Sequence, residues 1–322
     1  MADTSGRLRN VSLRQLRVFA TVARRLNFTA AARELHLTQP AVSMQVRELE
    51  ASCGLALFEK VGRRLQLTEA GEELARCASN IDEQLRQTRE SLDALAGLDR
   101  GLLQLGAVST AKYFAPSLLA AFRQQHPGVT IRFSVGNRDD VIRQLAGSET
   151  DLVIMGRPPR ELETVAEKFA RHPFGIIAPS THPFAGRRRI ALKQLATESF
   201  VIREPGSGTR ATMEHAFRER GATYQASMEV SSNETIKQAV MAGMGISFIS
   251  LHTVGLELAT GKLVCLDVVG LPVVRDWWVM HLASRRLAPM AAAFRRFLLE
   301  EGASIIAGAV GETDLGRAKT RA

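Results

Sequence analysis

Over the first hundred residues apolar positions recur with a helical period. Beyond residue 100 short apolar runs alternate with helical stretches. Leu16, Phe19, Ala20 and Ala23 form one stripe. Ser12-Leu13-Arg14-Gln15 in front of it has capping-box form, so a helix starts there and runs toward Arg25. Leu26-Asn27 breaks it, and Thr29–Leu35 reads as a second, short helix whose alanines allow close approach. His36-Leu37 turns into a third helix. Thr38 can cap it, and Pro40 is tolerated because the first turn has unpartnered N–H groups. Val42, Val46 and Leu49 share its buried face, Gln39, Ser43 and Arg47 share another, and Gly54 ends it. Two strand-like runs within Leu57–Leu67 flank a Gly62-Arg63-Arg64 tip.

This order of helix, turn and second helix with polar groups at its start, followed by a basic β-hairpin, predicts a winged helix-turn-helix over residues 1–67. Amide, hydroxyl and guanidinium groups on one helix face suit base edges and phosphates in a major groove. The basic tip suits phosphate or the minor groove. Thr38, Gln39, Pro40, Ser43, Met44, Arg47, Arg63 and Arg64 are therefore the candidate DNA-contacting residues.

From residue 68 to 98 the pattern changes to a heptad seam. Leu74, Ala78, Ile81, Leu85, Thr88, Leu92 and Leu95 alternate spacings of four and three. A long helix with such a seam, just after a DNA reader, predicts self-association, with Leu74, Ile81, Leu85, Leu92 and Leu95 meeting a second copy. A dimer would present two reading helices to an imperfect inverted repeat in double-stranded DNA.

The body, residues 101–302, alternates strands and helices. Strands are expected at Leu102–Val108, Thr130–Val135, Leu152–Met155, Phe174–Ala178, Ser199–Arg203, Ser227–Val230, Ile246–Ser250 and Trp277–Leu282. Helices are expected at Phe114–Gln125, Asp139–Leu145, Thr209–Arg220, Asn233–Ala242 and Met290–Glu300. This predicts a mostly parallel sheet with helices on both faces, in two lobes. Lobe I is about 101–172 and 274–302, and lobe II about 173–273. A cleft between them would take ligands beyond the carboxyl ends of the strands. Ser109, Thr110, Asn137, Arg157, Ser207, Thr209, Arg210, Ser232 and Asn233 all sit at such ends. Their hydroxyls, free N–H groups and charges suit a small anion. Each hydroxyl alone could equally be a helix cap. Ala303–Ala322, rich in Ala and Gly, reads as a loosely ordered tail.

Charge supports the first inference. Residues 1–66 hold eleven Lys or Arg against five Asp or Glu, which leaves +3 of the chain's +9 for the remaining 256 residues. A small basic module on a near-neutral body favours nucleic acid over a membrane surface. No stretch reaches the ~18 apolar residues of a spanning helix. Cys53, Cys77 and Cys265 are too dispersed for a zinc site or a disulfide framework, so no metal is expected and a reducing cytoplasm is.

Asn27–Gly71 resembles the DNA-binding domain of the LysR-type transcriptional regulators. The resemblance rests on Phe28-Thr29, Ala31-Ala32, Leu35, Thr38 to Ala41, Ser43, Leu49-Glu50, Gly54-Leu55, Leu57-Phe58, Arg63, Leu67-Thr68 and Gly71. Members often carry Arg after the serine. This chain has Met44, which leaves more of the base reading to Gln39, Ser43 and Arg47. The body is similar to the family's effector domain, which implies a two-lobed α/β fold of periplasmic-binding-protein type. Ser109 to Pro116, which adds Lys112 to the effector candidates, Val135 to Arg138 and Ile154 to Pro159 resemble the subgroup that controls Calvin-cycle (RuBisCO operon) genes. The resemblance implies a dimeric or tetrameric activator that works with RNA polymerase, answers to a small anionic metabolite and needs no cofactor. An enzyme and a periplasmic solute-binding protein are the alternatives. Against the first, no G-x-x-x-x-G-K-[ST], H-E-x-x-H or G-x-S-x-G occurs. Against the second, the chain starts with a basic module and no leader-like apolar run.

Overall fold

The computed structural model describes residue 8 and residues 11–62, 64–95 and 100–310. Its contacts divide the chain into two compact units, Met1–Arg89 and Glu90–Ala322.

In the first unit, α1 (Leu13–Arg25) opens with the predicted capping box. The Ser12 hydroxyl accepts from the Gln15 N–H at 3.2 Å, and the Gln15 amide oxygen accepts from the Ser12 N–H at 2.9 Å. Asn27 caps α2 (Phe28–Glu34), and left-handed His36 turns the chain into α3 (Gln39–Cys53). Gly54, at φ 68°, ends α3 as the sequence predicts. The wing pairs β1 (Phe58–Val61) with β2 (Arg64–Leu67) antiparallel. Its predicted tip residue Arg63 lies outside the described residues. Glu50 of α3 accepts hydrogen bonds from the N–H groups of Leu57 at 2.8 Å and Phe58 at 3.4 Å, so one carboxylate fixes the root of the wing to α3.

The next helix, α4 (Glu69–Leu95), corrects part of the seam. Leu74 and Ala78 are buried in the module's own core beside Phe19, Leu49 and Leu57, with Ile81 packed against them. An apolar stripe does not record what covers it; here its first turns close over α1 and α3. Leu74 is therefore not available to a second copy, whereas Leu85 and Leu92 are 37% and 60% exposed. The Leu95 side chain lies outside the described residues.

The second unit is built on one sheet, in the order β10-β6-β11-β5-β3-β4 with β9 also on β6. Here β3 (Gly101–Val108) pairs parallel with β4 (Val129–Gly136) and with β5 (Leu152–Met155). α5 (Ala115–Gln125) and α6 (Arg138–Ala146) connect these strands. The crossing is made by β6 (Thr164–Pro179), antiparallel to β11 (Val273–Leu282) from Thr164 to Phe174. Beyond it β6 pairs antiparallel with β9 (Ser247–Ser250) and β10 (Leu263–Cys265). The sheet is therefore mixed rather than mostly parallel. The stretch before Phe174, not foreseen as a strand, is the first ten residues of β6. Its burial follows no simple alternation, because the strand passes from one core to the other.

In lobe II, β7 (Ser199–Arg203) and β8 (Gln225–Val230) are parallel. α7 (Gly208–Glu219) and α8 (Asn233–Met241) pack against them, and α9 (Gly255–Ala259) packs on β10. Phe114, Phe122, Trp277 and Phe294 centre the lobe I core, and Phe200, Phe217 and Phe248 belong to that of lobe II. The last helix, α10 (Pro289–Val310), runs eight residues into the predicted tail. Ile306 is 3% exposed, and Gly302 sits so close to Phe169 that a Cβ would lie 2.8 Å from its ring. The burial of Ile306, not the small residues around it, fixes this stretch of the predicted tail, where Gly308 stands in open space. The remainder of the predicted tail, 311–322, lies outside the described residues. Among the described residues no helix is long and apolar enough to cross a membrane.

Candidate functional site

On α3 the core positions Val42, Val46, Leu49 and Cys53 fall within about 60° of one another at 100° per residue. Pro40, Met44 and Arg47 occupy the opposite side and are exposed. Gln39 and Ser43 lie on the flank, where the Gln39 side-chain amide donates to the Ser43 hydroxyl at 2.8 Å. Thr38 caps the helix, accepting from the Ala41 N–H at 3.4 Å, so its hydroxyl is engaged. Arg64 is exposed on the wing. The basic end of α1 is partly neutralised: Arg24 and Arg25 (2.7 Å) both pair with Glu34. The hydrogen bond from Arg25 holds the Glu34 carboxyl below its usual range. Among the described residues of this module, exposed Arg47 on α3 and Lys60 and Arg64 on the wing make no salt bridge, and neither do Arg14 on α1 and Arg33 on α2.

The second unit holds a cleft of about 410 Å³ between its lobes. Ser109, Thr110, Asn137, Arg138, Arg157 and Arg160 line it from lobe I. Arg203, Ser207, Gly208, Thr209, Thr212 and His215 line it from lobe II, and His172, Phe174 and Arg275 come from the crossing strands. Among the described residues, five arginines and no Asp or Glu line it. Burial, and next the charge of Arg157, push the Arg138 guanidinium below its usual range, against the opposing pull of Glu161 and Asp139. Arg138 is held in place by donating to the carbonyls of Arg157 at 2.9 Å and Pro158 at 3.2 Å.

Ser207 stands at the N-cap of α7, yet its side chain makes no capping bond. The first N–H groups of α7 and the Ser207 hydroxyl are thus open to the cleft. Ser207, Thr209 and Thr110 are each about 5% exposed, and none of the three hydroxyls has a protein partner. None of the three oxygens is fully enclosed, so each is open to the cleft and free to donate to a ligand there. Arg203 is 3% exposed and joins the lobes: it donates to both oxygens of Glu204 at 2.7 and 2.8 Å, to the Asn233 side-chain oxygen at 2.7 Å and to the Ser109 hydroxyl at 3.3 Å. A second bridge joins the Tyr113 hydroxyl, donating at 2.6 Å, to Glu234, which also pairs with buried Lys237.

Of the ten predicted effector residues, Ser109, Thr110, Asn137, Arg157, Ser207 and Thr209 converge on the cleft. Four do not line it. Arg210 is turned away by Glu214 at 2.9 Å and Glu229 at 2.6 Å. Lys112 lies over the Tyr113 ring at 5.1 Å. Ser232 caps α8, accepting from the Thr235 N–H. Asn233 is buried behind the wall, orienting Arg203. Asn137 does both jobs, capping α6 while lining the cleft. Sequence reasoning missed Arg138, Arg160, Arg203, His172 and Arg275. Arg203 ends a predicted strand, the same signal that identified Ser109, whereas His172 falls in the unforeseen half of β6 and carried none.

His172 forms part of the floor. Its ring stacks on Trp277 at 3.7 Å, and its Nε2 is 2.9 Å from the Ser250 hydroxyl. Its Nδ1 is buried without a partner. Burial, then the neighbouring His252, drive its pKa far down, so the ring is neutral near neutral pH. Among the described residues no group of His, Cys, Asp or Glu could hold a metal ion.

Residues 13–72 match the family described as bacterial regulatory helix-turn-helix proteins, lysR family, and residues 96–303 match the LysR substrate binding domain. The chain is 51% identical over 294 residues to the RuBisCO operon transcriptional regulator of Allochromatium vinosum, covering 91% of this chain and 97% of that one. It is 49% identical over 310 residues to the HTH-type transcriptional regulator CfxR of Cupriavidus necator, covering 96% and 98%. Among solved structures, the regulatory domain of Synechocystis PCC6803 CcmR in complex with 2-PG is 37% identical, with a TM-score of 0.60, over 62% of this chain and 96% of that one.

Proposed function

The chain belongs to the LysR family of bacterial regulatory helix-turn-helix proteins, and from that premise we propose that it is an activator of CO2-fixation genes gated by a small anionic metabolite. The gene class rests on one observation: identity of 51% and 49%, across nearly the whole length of each, to proteins named as the RuBisCO operon transcriptional regulator and CfxR. The effector class rests on the cleft, where five arginines, an uncapped helix N-terminus and three unpartnered hydroxyls surround a space with no Asp or Glu among the described residues of its wall. The 2-PG found in the similar Synechocystis domain is an anion of this kind.

In this reading two copies associate through the exposed part of the α4 seam and place two α3 helices on an imperfect inverted repeat. Arg203 and Tyr113 bridge the lobes across the hinge. An anion bound between Ser207, Thr209 and the lobe I arginines favours one lobe angle over another, which shifts the packing of dimers, the bend of the DNA and the contact with RNA polymerase. The protein turns nothing over; its output is a change in transcription.

Genome-wide mapping of bound sites tests the gene class, and the sites are expected upstream of RuBisCO genes. Sites confined to unrelated operons would overturn that assignment. Calorimetry with 2-PG tests the cleft: Ser207→Ala with Thr209→Ala should weaken binding at least tenfold, and unchanged binding would remove the cleft from effector recognition.

A further inference from the structure

We infer that Met44 is a base-reading residue that recognises the 5-methyl group of a thymine in the major groove, resting on the reading of α3 as the DNA-contacting helix. Met44 stands on the opposite side of α3 from Val42, Val46, Leu49 and Cys53, in the first half of the helix, and it is 57% exposed. Recognition helices bring this half of the helix to base edges. Pro40 and Arg47 flank it on the same side, so the centre of the reading face is apolar. Arg47 and Glu48, one turn on, border this apolar centre, with Glu48 accepting from the Gln15 side-chain amide at 3.3 Å, and Gln39 and Ser43 hydrogen-bond to each other at 2.8 Å on the flank.

A thioether has no strong donor or acceptor. Set against guanine O6 and N7 or the cytosine amino group, it would strip those atoms of water and return nothing. The thymine methyl is the one apolar group that a base pair offers in the major groove. Met, unbranched and polarizable, can cover it from several rotamers. The same side chain therefore rewards a T·A pair by contact and penalises a G·C pair by desolvation.

The test uses the full chain. Duplexes are first enriched from a random library by binding. Each thymine of the enriched duplex is then replaced in turn by deoxyuridine, which deletes only the methyl group, and dissociation constants are measured by fluorescence anisotropy. One thymine per half-site should lose about fourfold on this change, and both together roughly fifteenfold, the scale of one or two buried methyl groups. With Met44→Ala the same uracil substitutions should change affinity less than about 1.5-fold, while binding to random DNA stays as in the parent. Met44→Arg should move the preference at that position toward guanine, which offers two acceptors to a guanidinium. A uracil scan with no sensitive position, or one whose sensitive positions persist in Met44→Ala, would overturn the assignment and leave the DNA-reading function standing. Failure to enrich any duplex would overturn both.

Discussion

Arg203→Met removes a cation that is almost wholly buried and leaves its partners behind. Glu204, with a 19% exposed side chain, loses two charge-assisted bonds at 2.7 and 2.8 Å. The Asn233 oxygen loses its donor at 2.7 Å, in a side chain whose amide nitrogen already lacks an acceptor. Breaking a buried ion pair from one side costs about 3–5 kcal/mol. Water can reach part of Glu204, so the lower end applies, about 3 kcal/mol. In a unit of this size each kcal/mol moves the melting temperature by about 2–4 °C, so a fall of roughly 6–12 °C is expected. Scanning calorimetry and urea unfolding of the full chain would measure it. The pair Arg203→Met with Glu204→Leu removes both charges and should recover more than half of the loss, since apolar replacements of a buried pair are often neutral. A single variant within about 1 kcal/mol of the parent, or a double variant less stable than the single, would refute this account of Arg203.

Three further outcomes are expected. Gly71→Ala, ordinarily worth about 1 kcal/mol in favour of a helix, should instead destabilise by about 1–3 kcal/mol, because its Cβ would lie 2.1 Å from the Leu57 carbonyl oxygen; a raised melting temperature would show that the α4 start and the wing root shift freely. Burial lowers the His252 pKa to about 4, and His172 also lies well below 6.5; unfolding lets both bind protons first, so stability should be complete above pH about 6.5 and fall below it by up to ~1.4 kcal/mol per pH unit per histidine. His252→Gln, which can still accept from the Trp277 indole N–H at 3.0 Å, should flatten that slope between pH 6.5 and 4, as urea unfolding across pH would reveal. Leu85→Asp with Leu92→Asp should weaken self-association by at least about 3 kcal/mol, over a hundredfold in dissociation constant; an unchanged sedimentation profile would place the interface elsewhere.

Much of the first unit was legible because its signals are local. A capping box, a Thr-x-Pro helix start, a Gly stop and a Gly-tipped hairpin act within a few residues, so Ser12, Thr38, Gly54 and Gly62 mark element ends without reference to the rest of the chain. Strand ends gave nine of the ten effector candidates for the same reason, and six of those nine reach the cleft. What the chain could not disclose is where each group is consumed. Arg210 and Arg203 are the same residue type seven positions apart, yet Glu229 turns one away while Asn233 and Ser109 hold the other between the lobes. Leu74 and Leu92 share a seam, but only Leu92 is left uncovered by this chain.

The sequence by itself determined most of the element order and the helix-turn-helix with its wing, and it set the expectation of an anionic effector, because periodicity, caps and charge are properties of neighbours along the chain. Tertiary structure alone decided that β6 is one strand shared by both lobes, that α10 continues to Val310, and that three hydroxyls remain unpartnered beside five arginines. Each of these depends on which distant residue comes to rest against which.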